Sequence, residues 1–171
     1  MHRNFSRIYT VLSFCDQLVY PMPQSLSQTI IHLIFSTKDR EPFLEEEIKE
    51  PMHAYLATIA RERGWECYRV GGVADHVHLA LRQPRTDNQS DFIGHLKRNS
   101  TKWIQRQGKA YAPFAWQRGY GAFSIGYSQL PALVEYVRKQ EEHHRVKTFR
   151  EEYRDLLKKI GVAFDEKYLW D

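Results

Sequence analysis

The sequence His76-Val77-His78-Leu79-Ala80-Leu81 alternates polar and apolar residues and then becomes wholly apolar. This pattern predicts a β-strand that enters a hydrophobic core. Because successive strand side chains point to opposite faces, His76 and His78 share one face and Val77 lies on the other. Two neighbouring imidazoles on a rigid strand could form half of a divalent-metal site. The alternative is a polar pair on the solvent-exposed face of a half-buried strand.

The rest of the chain supplies the other elements of a small sheet protein. The first predicted elements are a strand at Thr29–Ser36, a helix that carries apolar residues from Ile48 to Ile59, starts or kinks at Pro51 and ends near Gly64, and a strand at Trp65–Val73. After the histidine strand come a helix capped by Ser90, a bulged strand within Pro113–Ile125 and a helix from Gln129 to about His144 capped by Ser128. This β-α-β-β-α-β order, with one more helix, predicts an α+β fold with a ferredoxin-like (RRM-like) antiparallel sheet and helices on one face. The other face of the sheet would then be free to carry a site.

The composition is that of a soluble globular protein. The chain has 171 residues, of which 42% are hydrophobic and 27% charged, and its net charge is +4. The length suggests one domain, and the mild positive charge favours a polyanionic partner. Cys15 and Cys67 are far apart in the sequence, which argues against a disulfide scaffold or a zinc knuckle and fits a reducing cytoplasm. No stretch approaches the roughly 18 apolar residues of a membrane span, so we expect a cytoplasmic protein without a membrane partner.

The last long helix has two distinct faces. Its apolar stripe at helical spacing consists of Leu130, Leu133, Val134 and Val137. A second face carries Tyr136, Gln140, His143 and His144, which follow the i, i+4, i+7, i+8 spacing of helix neighbours. The alternative is that the tyrosine flanks the core and the histidine pair is exposed.

A basic stripe follows the helix after Ser90. Its members are Lys97, Arg98, Lys102, Arg106 and Lys109. No acidic residue occurs between Lys97 and Lys109, which favours a phosphate-facing surface over an ordinary solvated helix face. The aromatic residues Trp116, Tyr120 and Phe123 could stack on bases, although core packing is the commoner role of such residues.

Together these residues predict phosphodiester chemistry. His76, His78 and the amide oxygen of Gln140 would bind Mg²⁺ or Mn²⁺ and leave positions open for a phosphate. Tyr136, one helical turn before Gln140, would lie beside the metal as a nucleophile. Tyr120 and Tyr127 are rival nucleophiles, but Tyr127 has no ligand-type residue one turn away.

The chain resembles the single-tyrosine HUH transposases of single-strand insertion sequences and the related REP-associated tyrosine transposases. The matching motifs are His76-Val77-His78, Tyr136-Val137-Arg138-Lys139-Gln140, His143-His144, Trp116-Gln117 and Gly119-Tyr120-Gly121-Ala122-Phe123-Ser124. The resemblance covers about Thr29 to Arg145. It implies an HUH-endonuclease type of fold, with His76, His78 and Gln140 as metal ligands and Tyr136 as the nucleophile.

The resemblance also implies a homodimer, in which the tyrosine helix of one subunit can complete either its own site or that of the partner. Such a dimer cuts single-stranded DNA next to hairpins, leaves a 5′-phosphotyrosine and a 3′-hydroxyl, and acts on nucleoid-associated DNA. We expect the basic stripe to contact the hairpin backbone. The predicted organisation is a poorly ordered extension at 1–21, with Met22 as a candidate first residue, a catalytic domain at 22–147, and a C-terminal helix and tail at 148–171 that pack on it. That helix should begin at a Thr148 capping box and end at Gly161.

Two other functions compete with this one. Another HUH nuclease, such as a replication initiator or a relaxase, would need a longer chain or more domains. A non-catalytic nucleic-acid-binding module of ferredoxin-like fold would bind without cleavage, and its binding would not depend on Tyr136.

Overall fold

A computed structural model of the chain describes residues 25–146, 148–167 and 169, so the extension expected at 1–21 lies outside the described residues. Four strands form one sheet in the order β2-β3-β1-β4, and every neighbouring pair is antiparallel. The strands are β1 (Thr29–Ser36), β2 (Glu66–Val73), β3 (His76–Gln83) and β4 (Gly121–Ile125). The predicted ferredoxin-like α+β fold is confirmed.

Two long helices, α1 (Glu46–Glu62) and α2 (Gln89–Gln105), cover one face of the sheet. The odd-numbered residues of β1 and β3 point into this layer, and the core they form with the helices includes Leu33, Phe35, Val77, Leu79, Met52, Leu56, Phe92 and Leu96. Full burial of each such side chain stabilises the fold by about 1.5–3 kcal/mol. This layer fixes β1 and β3 as the rigid centre of the sheet.

The ends of these helices differ in detail from the prediction. Helix α1 begins at Glu46, ahead of Pro51, so the proline does not start it. Helix α2 is capped by Asn88 and not by Ser90, because the Asn88 side chain accepts hydrogen bonds from the backbone N–H groups of Ser90 and Asp91. Both residue types are good N-caps, and only the backbone geometry distinguishes them.

The second face of the sheet is not left free. Helix α3 (Leu130–Arg138) lies over β2 and β3, and its Leu133 and Val137 pack against Ala80. Gly71 of β2 permits this close approach, since a Cβ atom there would overlap the backbone carbonyl of Val137. Helix α3 therefore holds its residues directly against the face that carries the histidines.

The predicted helix from Gln129 to His144 is broken at Lys139. Lys139 has φ −93° and ψ 16°, and it separates α3 from a short helix, α4 (Gln140–His143). The backbone N–H of Lys139 bonds to the carbonyls of both Glu135 and Tyr136, which tightens the last turn of α3. Helix α5 (Phe149–Ile160) follows, with the predicted Thr148 capping box and a left-handed Gly161 at its end. In the part of the chain that the structure describes, no helix is long and apolar enough to cross a membrane.

Candidate active site

His76 and His78 project from β3 towards the face covered by α3, α4 and α5. They are 0% and 1% exposed, so the alternative of a solvent-exposed polar pair is wrong. The Nε2 atom of each ring is buried and has no hydrogen-bond partner among the described residues. Burial of an unpaired polar atom costs free energy, so these two nitrogens are the first sign that the site takes a ligand.

His32 fixes the orientation of His78. Its Nε2 lies 2.9 Å from His78 Nδ1, and the two rings stack with centroids 5.1 Å apart. Burial lowers the pKa of His32 to about 4 and, with the neighbouring His76, lowers the pKa of His78 well below its usual value. Both rings are therefore neutral near pH 7. If His78 Nδ1 carries the proton and donates it to His32, the Nε2 lone pair of His78 is available to a metal.

Asp75 fixes the orientation of His76 in the same way. His76 Nδ1 lies 2.6 Å from Asp75 Oδ1, which leaves Nε2 of the same ring directed into the site. Burial acts to raise the pKa of Asp75, but the hydrogen bond with His76 and nearby positive groups outweigh it and hold this pKa below its usual value. An ionised carboxylate that accepts the Nδ1 proton of a ligand histidine orients the ring and increases its basicity.

Gln140, the first residue of α4, reaches the same site and is 1% exposed. Its Oε1 lies 3.1 Å from His144 Nε2, and its Nε2 donates to Glu152 Oε1 at 3.3 Å. An ion pair between Lys49 and Glu141 ties α4 to α1. The predicted amide ligand is thus held inside the protein by partners from α4 and α5.

Four titratable side chains surround this point. Ligand-type atoms of His76, His78, His144 and Glu152 all lie within 4.8 Å of one another. Glu152 belongs to α5, and its Oε2 lies 2.7 Å from His144 Nε2. Burial and the nearby charge of Asp75 raise the pKa of Glu152 to about 7. The group is rich in nitrogen and oxygen donors, and it fits a divalent cation.

Tyr136 lies beside the histidines and is half-buried. The centroid of its ring is 5.8 Å from those of both His32 and His78, and 5.4 Å from that of His143. These histidines belong to the same chain, so the tyrosine and the imidazole pair meet within one subunit. The rival Tyr127 is 68% exposed, and the other rival, Tyr120, is 41% exposed beside Lys97.

The basic stripe is not brought to the histidines, since α2 packs on the opposite face of the sheet. Arg98, Lys102, Arg106 and Lys109 are exposed, as a backbone-binding surface requires. Lys97 differs from them, because its Nζ donates to the carbonyls of Gln117 and Gly119 at 3.0 and 2.6 Å. Burial lowers the pKa of Lys97 to about 8. Trp116 is buried in the core, which favours the packing role for this aromatic residue.

Three contributors escaped the sequence prediction: His32, Asp75 and Glu152. His32 is the one titratable residue of β1. It has an even number, so it shares the face of the histidine pair once β1 and β3 are paired. Asp75 directly precedes the pair in the sequence. No sequence pattern pointed to Glu152, because its helix α5 reaches the site only after the break at Lys139 and a further turn.

Comparison with known proteins identifies a family for most of the chain. Residues 25–140 match the family described as "Transposase IS200 like". The ISDra2 transposase TnpA of Deinococcus radiodurans is 25% identical over 116 residues, which are 65% of this chain and 83% of that protein.

Two solved structures share the fold. A candidate transposase from Deinococcus radiodurans R1 has a TM-score of 0.55 at 22% identity, with 68% of this chain and 93% of that chain covered. A REP-associated tyrosine transposase, solved bound to a REP hairpin, has a TM-score of 0.55 at 14% identity, with 72% of each chain covered.

Proposed function

The chain belongs to the IS200-like transposase family, and we propose that it cuts and rejoins single-stranded DNA next to hairpins through a 5′-phosphotyrosine on Tyr136. Membership of the family makes it an enzyme that acts on DNA. The observation that supports the finer mechanism is the position of the Tyr136 ring, 5.8 Å from the ring of His78, whose Nε2 is buried without a partner.

The proposed reaction is an exchange of one phosphodiester for another. The Tyr136 oxygen forms a bond to phosphorus, and the bond from phosphorus to the 3′ oxygen breaks. The phenol loses its proton and the departing 3′ oxygen gains one, which gives a 5′-phosphotyrosine and a 3′-hydroxyl. Attack by a free 3′-hydroxyl reverses the step and joins a new pair of ends.

Mg²⁺ or Mn²⁺ is the cation we propose, held by His76, His78 and Gln140. When bound, it supplies Lewis-acid polarisation of the scissile phosphate. His32 and Asp75 lie within hydrogen-bond distance of the Nδ1 atoms of His78 and His76, and protons on those Nδ1 atoms would leave both Nε2 lone pairs to the cation. The burial of these rings lowers the local dielectric and so strengthens charge stabilisation near Tyr136.

The hairpin-binding surface we propose is the basic stripe on α2 and the residues that follow it. The exposed side chains of Arg98, Lys102, Arg106 and Lys109 would contact backbone phosphates. Lys97 would act on the DNA through the loop it holds, since its ammonium group bonds to the carbonyls that precede β4. The family relative bound to a REP hairpin supports a hairpin as the substrate.

We also propose a homodimer in which each subunit uses its own tyrosine. Tyr136 lies beside the histidines of its own chain. The segment 22–147 would form the catalytic domain, and the C-terminal segment 148–171 would close it, since α5 packs Phe149 on His76 with ring centroids 4.2 Å apart. Light scattering of the purified chain would test the dimer.

The decisive experiment is an incubation with hairpin-bearing single-stranded oligonucleotides, with Mg²⁺ or with chelator, followed by a denaturing gel. The wild-type chain should form a covalent adduct only with metal. The Tyr136→Phe variant should form none yet retain hairpin binding, because the phenyl ring keeps the packing and loses the nucleophile. The Tyr127→Phe control should behave as wild type. Adducts that persist in Tyr136→Phe, or binding without any cleavage by the wild type, would refute the proposal.

A further inference from the structure

Glu152 is a buried carboxylate that the proposed reaction does not use. It is 5% exposed, and it comes from α5, beyond the segment that matches the transposase family. We propose that Glu152 is a direct ligand of the divalent cation, alongside His76 and His78. This inference rests on the proposed function, because it concerns the same site.

The distances place the carboxylate among the metal-binding atoms. Its ligand atom lies within 4.8 Å of those of His76, His78 and His144. Independently, the Nε2 atoms of His76 and His78 point into this space without hydrogen-bond partners among the described residues. A cation bound by those two nitrogens would have the Glu152 carboxylate as its nearest negative charge within the group.

The surroundings of Glu152 orient it without neutralising it fully. Gln140 donates a long hydrogen bond of 3.3 Å, and the His144 ring lies 2.7 Å from Oε2. A buried carboxylate needs a positive partner or several donors to offset its desolvation. A divalent cation would meet this need better than a neutral amide and an imidazole. His144, which contacts both Gln140 and Glu152, then acts as a positioning residue.

Contacts at the start of α5 hold the Glu152 carboxylate on the side of the histidines. The Thr148 capping box fixes the start of the helix, and Phe149 stacks on the His76 ring. Glu152 lies one helical turn after Thr148 and Phe149, on the side that faces the histidines. With the amide oxygen of Gln140, two imidazoles and one carboxylate form a mixed nitrogen and oxygen donor set, which suits divalent metals that keep open positions for substrate.

The test measures metal binding in the absence of DNA. Mn²⁺ affinity is obtained from the electron paramagnetic resonance signal of free Mn²⁺, and the donor set from the visible absorption of bound Co²⁺. Glu152→Gln should bind Mn²⁺ at least about 10–100-fold more weakly than wild type, and its Co²⁺ spectrum should differ. The matched control is Glu142→Gln, which removes an exposed carboxylate from α4 and should bind as wild type does.

The outcomes of these measurements separate a ligand role of Glu152 from an orienting role. Equal affinity of Glu152→Gln and wild type overturns the inference, and so does weaker binding with an unchanged Co²⁺ spectrum, which is the signature of a purely orienting role. If the wild type binds no Mn²⁺, the metal part of the proposed function fails as well. The metal-free Glu152→Gln protein should melt no lower than wild type, because it loses a buried charge. If it does not fold, Glu152→Asp replaces it, and unchanged affinity and spectrum there overturn the inference.

Discussion

His32 offers the sharpest test of how the site is built, because it should matter to the metal without touching it. Replacement by Leu removes the ring whose Nε2 lies 2.9 Å from His78 Nδ1. His32 and His78 are 3% and 1% exposed, so water cannot take over the lost hydrogen bond. The free energy of unfolding should fall by about 1–3 kcal/mol, the cost of a buried polar atom left unpaired.

The effect on the metal should be separable from the effect on stability. Without His32 the His78 ring can rotate or change tautomer, and the loss of such an outer partner costs about 10–100-fold in metal affinity. His32→Gln is the matched variant, because its amide can still reach His78 with a polar atom. It should retain most of the affinity that His32→Leu loses.

The assay is Mn²⁺ titration at a temperature where both variants are folded, with circular dichroism as the check. The rate of adduct formation at subsaturating metal should fall with the affinity and recover when more metal is added. Wild-type affinity in a folded His32→Leu protein would refute the idea that His32 sets the geometry of His78.

Three further predictions concern other parts of the molecule. Gly71→Ala should push α3 away from β2, because the new Cβ would overlap the Val137 carbonyl; on the denaturing gel, adduct formation by Tyr136 should then fall more than hairpin binding. Lys97→Met should lower the free energy of unfolding in urea by about 1.5–3 kcal/mol, the usual cost of lost hydrogen bonds to a charged group, since its Nζ bonds to two carbonyls; an unchanged denaturation midpoint would show that these bonds contribute nothing. Burial lowers the pKa of His53 from 6.5 to about 4. As the pH falls from 7 to 5, the unfolded chain therefore binds a proton at His53 that the folded chain does not bind. The wild type should lose about 2 kcal/mol through this group, and His53→Met should remove that part of the loss; parallel pH–stability curves would contradict it.

The sheet could be predicted from the sequence because its strands carry a local signal. The even and odd residues of β1 and β3 alternate between two faces, and β-branched residues mark β1, so both strands are found where the pattern places them. The capping box at Thr148 is equally local. These features depend on neighbours in sequence and needed no knowledge of the tertiary fold.

The parts that could not be predicted depend on contacts between distant segments. The break at Lys139 occurs in a run without Gly or Pro, so periodicity alone extends the helix through it. Glu152 reaches the site only because that break and the following turn bring α5 back over the sheet. The second face of the sheet was expected to be free for a similar reason. The apolar stripe of α3 shows that the helix is packed on something, but it does not show that the surface it covers is the one around Ala80.

The break at Lys139 also explains why burial differs so much between two residues of one motif. On one continuous helix, Tyr136 and Gln140 would share a face and be about equally accessible. Here Tyr136 ends up half-buried above the histidines, while Gln140 turns inwards and is 1% exposed. A nucleophile must meet a DNA strand, whereas a metal ligand works best where water is excluded. The change of direction between α3 and α4 gives each residue the environment that its proposed task requires.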